Sequence, residues 1–381
     1  MDMQREKCKA TKYDNAIILP QREVQSGPMW GLGGVCDENG SFIKDSFYDG
    51  GWASHGGKYE WKEEEWVDDN AVYFGVFFKH WGHFLIDLTT RCWFLPIMAR
   101  SNQDFVVAYL GDVEPDGNYL RFFELLGVRK EQLKRITVPT RFAHVYVPEQ
   151  GFKSCEWYTE EHVHMVNCIV DAVLKCEESF PSLRELKKVY FTRRAFSKAR
   201  HSEFGEEYFE SLFAKNGFTS VSPELLSLEE QIYLWNHAEE IVCVNGTIPL
   251  NALFCKNRDL KLTVLNKTSI LHENPYILLR MRGISAEFLD VYKEPLKGYP
   301  KSLGEGPFLF WPSEQFDRYC REHGMAELYG KTRRTLFFLR QKLKYHWAVL
   351  GLTDKARSFL SRSLSQQTKQ AIKRRIHRII D

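Results

Sequence analysis

Three short stretches combine residue types that could handle a proton or an anion. The first is His80-Trp81-Gly82-His83-Phe84-Leu85-Ile86-Asp87, with Arg91 one turn later. On a helix, His83 and Asp87 stand at i and i+4 and share a face. A carboxylate beside an imidazole holds its tautomer and supports a general base. The same residues also suit an ordinary capped helix with a polar first turn, and Trp81 suits a sugar platform or a core. The second stretch is Tyr190-Phe191-Thr192-Arg193-Arg194, followed by Arg200 and Glu203. Guanidinium groups match phosphate oxygens, so arginines at a strand end suit a diphosphate. A solvated basic loop has the same composition. The third is Asn245-Gly246-Thr247, with Asn251 downstream. A strand ends there, a glycine lets the backbone approach closely, and a helix start would favour an anion. An ordinary turn with Thr247 as N-cap reads the same way.

A fourth group, Cys155, His162, His164 and Cys168, has residue types that suit zinc. Its spacing matches no usual ligand pattern, and positions 162 and 164 fall on different helical faces. No Asp-x-Asp follows a strand, so the expected site holds no metal.

These residues need a scaffold, and the hydrophobic pattern supplies one. Residues 71–77 read as a strand running into a helix from His80 to about Ala99. Residues 104–109 read as a buried strand, and 118–126 as a helix closed by Gly127. Short strands follow at 135–138 and 144–147, then a helix over 157–178. A second series has strands at 188–192, 218–221, 240–244 and 261–265. Helices lie at 206–216, from the capping box Ser227-Leu228-Glu229-Glu230 to His237, and after Thr247. Residues 1–70 read as irregular with short strands. Such alternation implies α/β architecture with parallel sheets, where ligands sit beyond the carboxyl ends of the strands. The expected division is one Rossmann-like domain over 1–180, a second over 181–330 and a basic helical tail over 331–381.

The chain has 381 residues and a formal charge of +2, from 52 Lys and Arg against 50 Asp and Glu. The charge is unevenly spread. Residues 331–381 hold 14 of the basic side chains and only Asp354 and Asp381 as acids. A tail of this kind suits an anionic membrane surface, and equally a helix pair packed on an acidic body. No recognised nucleic-acid-binding fold supports a nucleic-acid partner. The nine scattered cysteines and the absence of an apolar leader or span lead to an expected cytoplasmic setting, peripheral to the inner face of a membrane if the tail binds it.

Taken in order, these segments resemble glycosyltransferase family 61. The resemblance rests on His83-Phe84-Leu85-Ile86-Asp87, on Tyr190 to Arg193 with Arg200 and Glu203, on Gly217 to Glu224, on Ser227 to Gln231, and on Gly246, Leu250 and Asn251. It departs at Asn245, where the family often has His, and at Ser202, where Asn usually precedes the acid. It implies a GT-B-like pair of facing Rossmann-like domains and an inverting, metal-independent transfer. The donor would be a nucleotide-diphosphate sugar, a UDP-sugar by this reading. The acceptor would be a hydroxyl of a growing or lipid-linked surface glycan, such as capsule, O-antigen or lipopolysaccharide. Asp87 or His83 would be the base, with Trp81 and Arg91 on the acceptor side. Arg193, Arg194, Arg200, Glu203, Asn245, Gly246, Thr247 and Asn251 would bind the donor, and domain closure would exclude water. The alternative is a non-catalytic member that binds a glycan or a partner transferase.

Overall fold

The computed structural model describes residues 4–351 apart from 6, 25–28, 102, 197, 198, 200 and 201. Arg200 and the last thirty residues of the basic tail therefore lie outside the described residues. The chain divides into two compact units. The first comprises Met1–Phe191, Leu225–Val264 and His272–Glu287; the second comprises Thr192–Glu224, Leu265–Leu271 and Phe288–Asp381. Among the described residues, the helices of nine residues or more are α1 (Gly117–Leu125), α2 (Glu160–Leu174), α3 (Glu206–Lys215), α4 (Leu228–His237), α5 (Asn274–Arg282), α6 (Glu314–Glu322) and α7 (Lys331–Val349). No described helix is long and apolar enough to cross a membrane.

The first unit holds a seven-stranded sheet of β1 (Ala10–Asp14), β2 (Ile17–Arg22), β3 (Leu32–Cys36), β4 (Glu65–Val76), β5 (Val106–Leu110), β6 (Leu133–Arg135) and β7 (Thr140–Pro148). Its spatial order is β3-β2-β7-β4-β5-β6, with β1 also paired to β7. The β7-β4-β5-β6 core is parallel, as the alternation of elements implies. The first three strands run antiparallel to their neighbours, so the sheet is mixed. Strand β4 has 12 residues and begins six residues earlier than expected. Its acidic half, Glu65–Asn70, lies outside the buried core, and only Ala71–Val76 is fully buried. Two further strands of this unit, β8 (Lys188–Phe191) and β9 (Glu240–Val244), pair in parallel with Phe191 opposite Cys243. They end level with one another, and β10 (Lys261–Asn266) follows β9 in sheet order.

One buried cluster joins Val72, Phe74, Phe84, Phe122 and Phe123 to Leu228, Ile232, Leu253, Phe254, Ile277 and Leu278. Phe84 is its pivot, edge-on to Phe122 at 5.0 Å and to Tyr119 at 5.1 Å. Edge-to-face ring contacts of this kind add to the burial of area itself. They fix the segment that carries His83.

In the second unit, Glu203–Phe204 pairs in parallel with Phe308–Leu309. Phe209 of α3 packs on Phe310 at 5.9 Å and Phe316 at 5.0 Å.

Candidate active site

The helix expected from His80 to Ala99 is a composite. One α-turn spans Trp81–His83, a π-turn spans Phe84–Leu88, a 3-10 stretch spans Thr89–Phe94, and α-helix resumes at Leu95–Arg100. Two local features suit the break. Thr89 Oγ1 donates to the Leu85 carbonyl at 3.0 Å, a back-bond that loosens helices. Pro96 lacks an N–H and sits where a new helix begins. A π-turn within a helix often marks a functional position.

The break leaves His83 and Asp87 in contact, with His83 Nδ1 2.8 Å from Asp87 Oδ2. The Asp87 carboxylate is otherwise enclosed. Its Oδ1 accepts from the Tyr48 hydroxyl at 2.6 Å and from Trp52 Nε1 at 3.2 Å. Burial, then the neighbouring Asp87 charge, push the Tyr48 phenol far above its ordinary range, so it stays a donor. The Trp52 N–H can only donate. With Oδ1 held by two donors, Oδ2 accepts the hydrogen bond from His83 Nδ1–H, which leaves Nε2 as the basic nitrogen. The Asp87 side chain is fully buried, while that of His83 is 30% exposed. Trp52 stacks on the His83 ring at 4.9 Å and is itself 46% exposed.

Arg91 lies beneath this group. It is buried and donates to the carbonyls of Asp45, Phe47 and Pro148. Burial presses its pKa below the ordinary arginine value. It fastens the loop that carries Tyr48, so its guanidinium is spent on backbone. Trp81 half-buries its ring against Phe84 and donates from Nε1 to Asn251 Oδ1 at 3.0 Å.

That bond brings the third stretch beside the first. Asn251 also donates to the Ile248 carbonyl at 3.0 Å, and a Cβ on Gly82 would stand 3.4 Å from Thr247 Oγ1. Asn245 is buried at the end of β9, with its Oδ1 3.0 Å from His272 Nδ1. Gly246 adopts φ +145°, a conformation that favours glycine. The α-helix expected after Thr247 is instead a seven-residue 3-10 segment, Ile248–Phe254, and Thr247 makes no side-chain cap. Pro249 removes one N–H from its first turn. The dipole argument for an anion therefore loses most of its force here.

The second stretch forms a charge cluster in the second unit. Arg193 Nη1 donates to Glu203 Oε1 at 2.6 Å, and Lys267 Nζ donates to the same oxygen at 2.7 Å. Glu206 opens α3 and accepts from Thr192 Oγ1 at 3.1 Å and from the Arg193 backbone N–H at 3.2 Å. Its N-cap, Gly205, has φ +98°, and a Cβ there would stand 3.1 Å from the Phe310 carbonyl oxygen. Burial and then the Glu203 charge raise the Glu206 pKa to about 8. Burial also lowers Lys267 to about 8, against the pull of Glu203. Below pH 8 the cluster thus keeps a proton on Glu206 and the charge on Lys267, which leaves it net positive. Arg194 is more exposed and pairs with Glu210 at 2.9 Å.

Sequence reading missed Tyr48, Trp52, Glu206, Lys267 and His272. Lys267 had a signal, because it directly follows a strand end. Trp52 sits in a Gly-Trp-rich run that carried no assignment. Among the described residues, no group of three or more His, Cys, Asp or Glu could hold a metal ion.

Residues 81–261 match the family model Glycosyltransferase 61. The match contains Trp81, His83, Asp87, Arg193, Glu203, Asn245 and Asn251. No curated protein matches the chain.

Proposed function

We propose, from the membership of the chain in glycosyltransferase family 61 through residues 81–261, a specific form of sugar transfer. The chain is a glycosyltransferase. In our reading it moves a sugar with inversion from a nucleotide-diphosphate donor, a UDP-sugar, to a hydroxyl of a surface glycan. A GT-B-like architecture of two Rossmann-like domains is part of this reading.

The observation that carries it is the His83–Asp87 pair, with Tyr48 and Trp52 closing the far side of the carboxylate. The acceptor O–H gives its proton to His83 Nε2. Its oxygen attacks the anomeric carbon, and the bond from that carbon to the donor phosphate breaks. The bonding electron pair leaves with the diphosphate. Asp87 does not take the proton; it holds the imidazole and stabilises the imidazolium. Trp52, stacked on His83 with an exposed face, offers a platform for an acceptor sugar. Arg193 and Lys267, with Arg194 nearby in the chain, supply positive charge for the leaving diphosphate in this reading. Asn245, Gly246, Thr247 and Asn251 contribute on the donor side through position rather than through a helix dipole.

A panel of nucleotides and nucleotide sugars tests the reading by thermal shift and by transfer to glycan acceptors. Uridine diphosphates raise the melting temperature, and the Arg193→Ala protein keeps its fold but loses transfer. If no nucleotide raises the melting temperature, the transferase reading fails and a non-catalytic glycan-binding role replaces it.

A further inference from the structure

Helix α7 has two opposite faces with different partners. Its inner face is Phe338, Gln341 and Tyr345, all buried. Phe338 packs on Tyr208 at 4.9 Å and on Trp311 at 5.4 Å. Gln341 Nε2 donates to Glu207 Oε1 at 2.7 Å, and Arg334 pairs with Asp317. The helix is thus fastened to its own unit, as the self-packing alternative for the tail implies.

Its outer face is apolar. Leu336, Leu339, Leu343, Trp347 and Leu350 are 63%, 47%, 61%, 50% and 57% exposed. At about 100° per residue they fall within an arc of roughly 80°, opposite the buried face. Arg333, Arg340 and Lys344 flank one side of that stripe, and Lys331 and Lys342 flank the other. Helix α7 contains no acid. A contiguous run of exposed large apolar side chains marks a surface that something covers. Charge decides what. Residues 352–381 carry eight more Lys and Arg against Asp354 and Asp381, so that segment and a second copy of α7 would both bring like charge. A phosphate-bearing lipid surface brings the opposite charge together with an apolar layer. The long Lys and Arg stems can run beside the leucines while their heads reach the phosphates.

We propose that α7 is an interfacial helix. It lies flat on an anionic lipid surface, with Leu336, Leu339, Leu343, Trp347 and Leu350 in the acyl boundary and the flanking bases on the headgroups. The side facing away from the lipid stays locked to the second unit through Phe338 and Tyr345. This holds whatever sugar the protein transfers.

The test is flotation of the full chain with vesicles of mixed phosphatidylglycerol and phosphatidylcholine, against pure phosphatidylcholine. The wild-type chain floats with the anionic vesicles, and much less with neutral ones or at high salt. Leu343→Glu combined with Trp347→Glu lowers the bound fraction by ~10-fold or more, with an unchanged melting curve. If that variant misfolds, Leu336→Ser with Leu339→Ser gives the same reading with a milder change. Three results overturn the proposal. The wild-type chain fails to float, or the folded variants float as well as it does. Or sedimentation without lipid shows a dimer that the variants dissolve, which would assign the stripe to a second copy.

Discussion

The His83 group and the Arg193 group are built on opposite principles. Around Asp87, the described polar partners are two fixed donors, Tyr48 and Trp52, and one imidazole, His83. Around Glu203, the described side-chain partners are both cations, Arg193 and Lys267. The first arrangement fixes one proton acceptor in one tautomer. The second sets a field whose sign and strength depend on pH. A transfer reaction needs both kinds of device, one for the acceptor proton and one for the leaving anion.

Breaking the first arrangement has the largest expected effect. Asp87→Asn removes the acceptor that holds His83 Nδ1–H and lowers kcat by ~10²–10⁴-fold, with the donor KM little changed. Steady-state kinetics at varied donor check this, and a matched rise in KM would move Asp87 to the donor site. Next comes Arg193→Ala, which removes a cation and lowers kcat/KM by ~10²-fold. Lys267→Met does more than weaken donor binding. It leaves Glu203 buried with less compensation and destabilises the fold by ~3–5 kcal/mol. Pairing it with Glu203→Gln recovers much of that stability in a denaturant melt; no recovery would show that the two are not coupled.

The comparison also fixes a pH signature. As pH rises through 8, Glu206 loses its proton and becomes negative, while Lys267 loses its proton and becomes neutral. Both changes make the cluster more negative. Donor affinity therefore falls several-fold between pH 7 and pH 9, and calorimetry with UDP at both values reads it directly. Glu206→Gln flattens the profile. A pH-independent affinity would separate this cluster from the donor. The smallest effect is at Trp52→Phe, which removes one of two donors to Asp87 Oδ1 and lowers kcat by ~5-fold. The ring remains to stack on His83.

Much of the scaffold could be read from local pattern. The strand at Glu240–Val244 and the Ser227–Glu230 capping box appear where the sequence puts them. So do the helices that end before Gly127 and Gly217. Each depends on neighbours a few residues apart. Strands β1 to β3 were legible only as unplaced short strands, because Gly33, Gly34 and Pro20 interrupt the apolar alternation and β7, the partner of β1 and β2, lies more than 100 residues away. The interrupted helix at Phe84–Leu88 was read as regular because its apolar spacing is nearly helical. At the site, His83 and Asp87 were legible because i and i+4 is a local relation. Tyr48 and Trp52 were not, because their contacts to Asp87 span 39 and 35 residues. The arginine stretch with Glu203 read equally as a diphosphate site or a solvated basic loop. In the fold Arg193 shares Glu203 with Lys267, a pairing more than 60 residues apart that local pattern does not reveal.

The most direct measurement is single-turnover transfer by the His83→Gln protein with the donor at saturation, beside its donor affinity. The account predicts donor binding like the wild type and transfer slowed by ~10²-fold or more. Transfer at the wild-type rate by a correctly folded His83→Gln protein would contradict it.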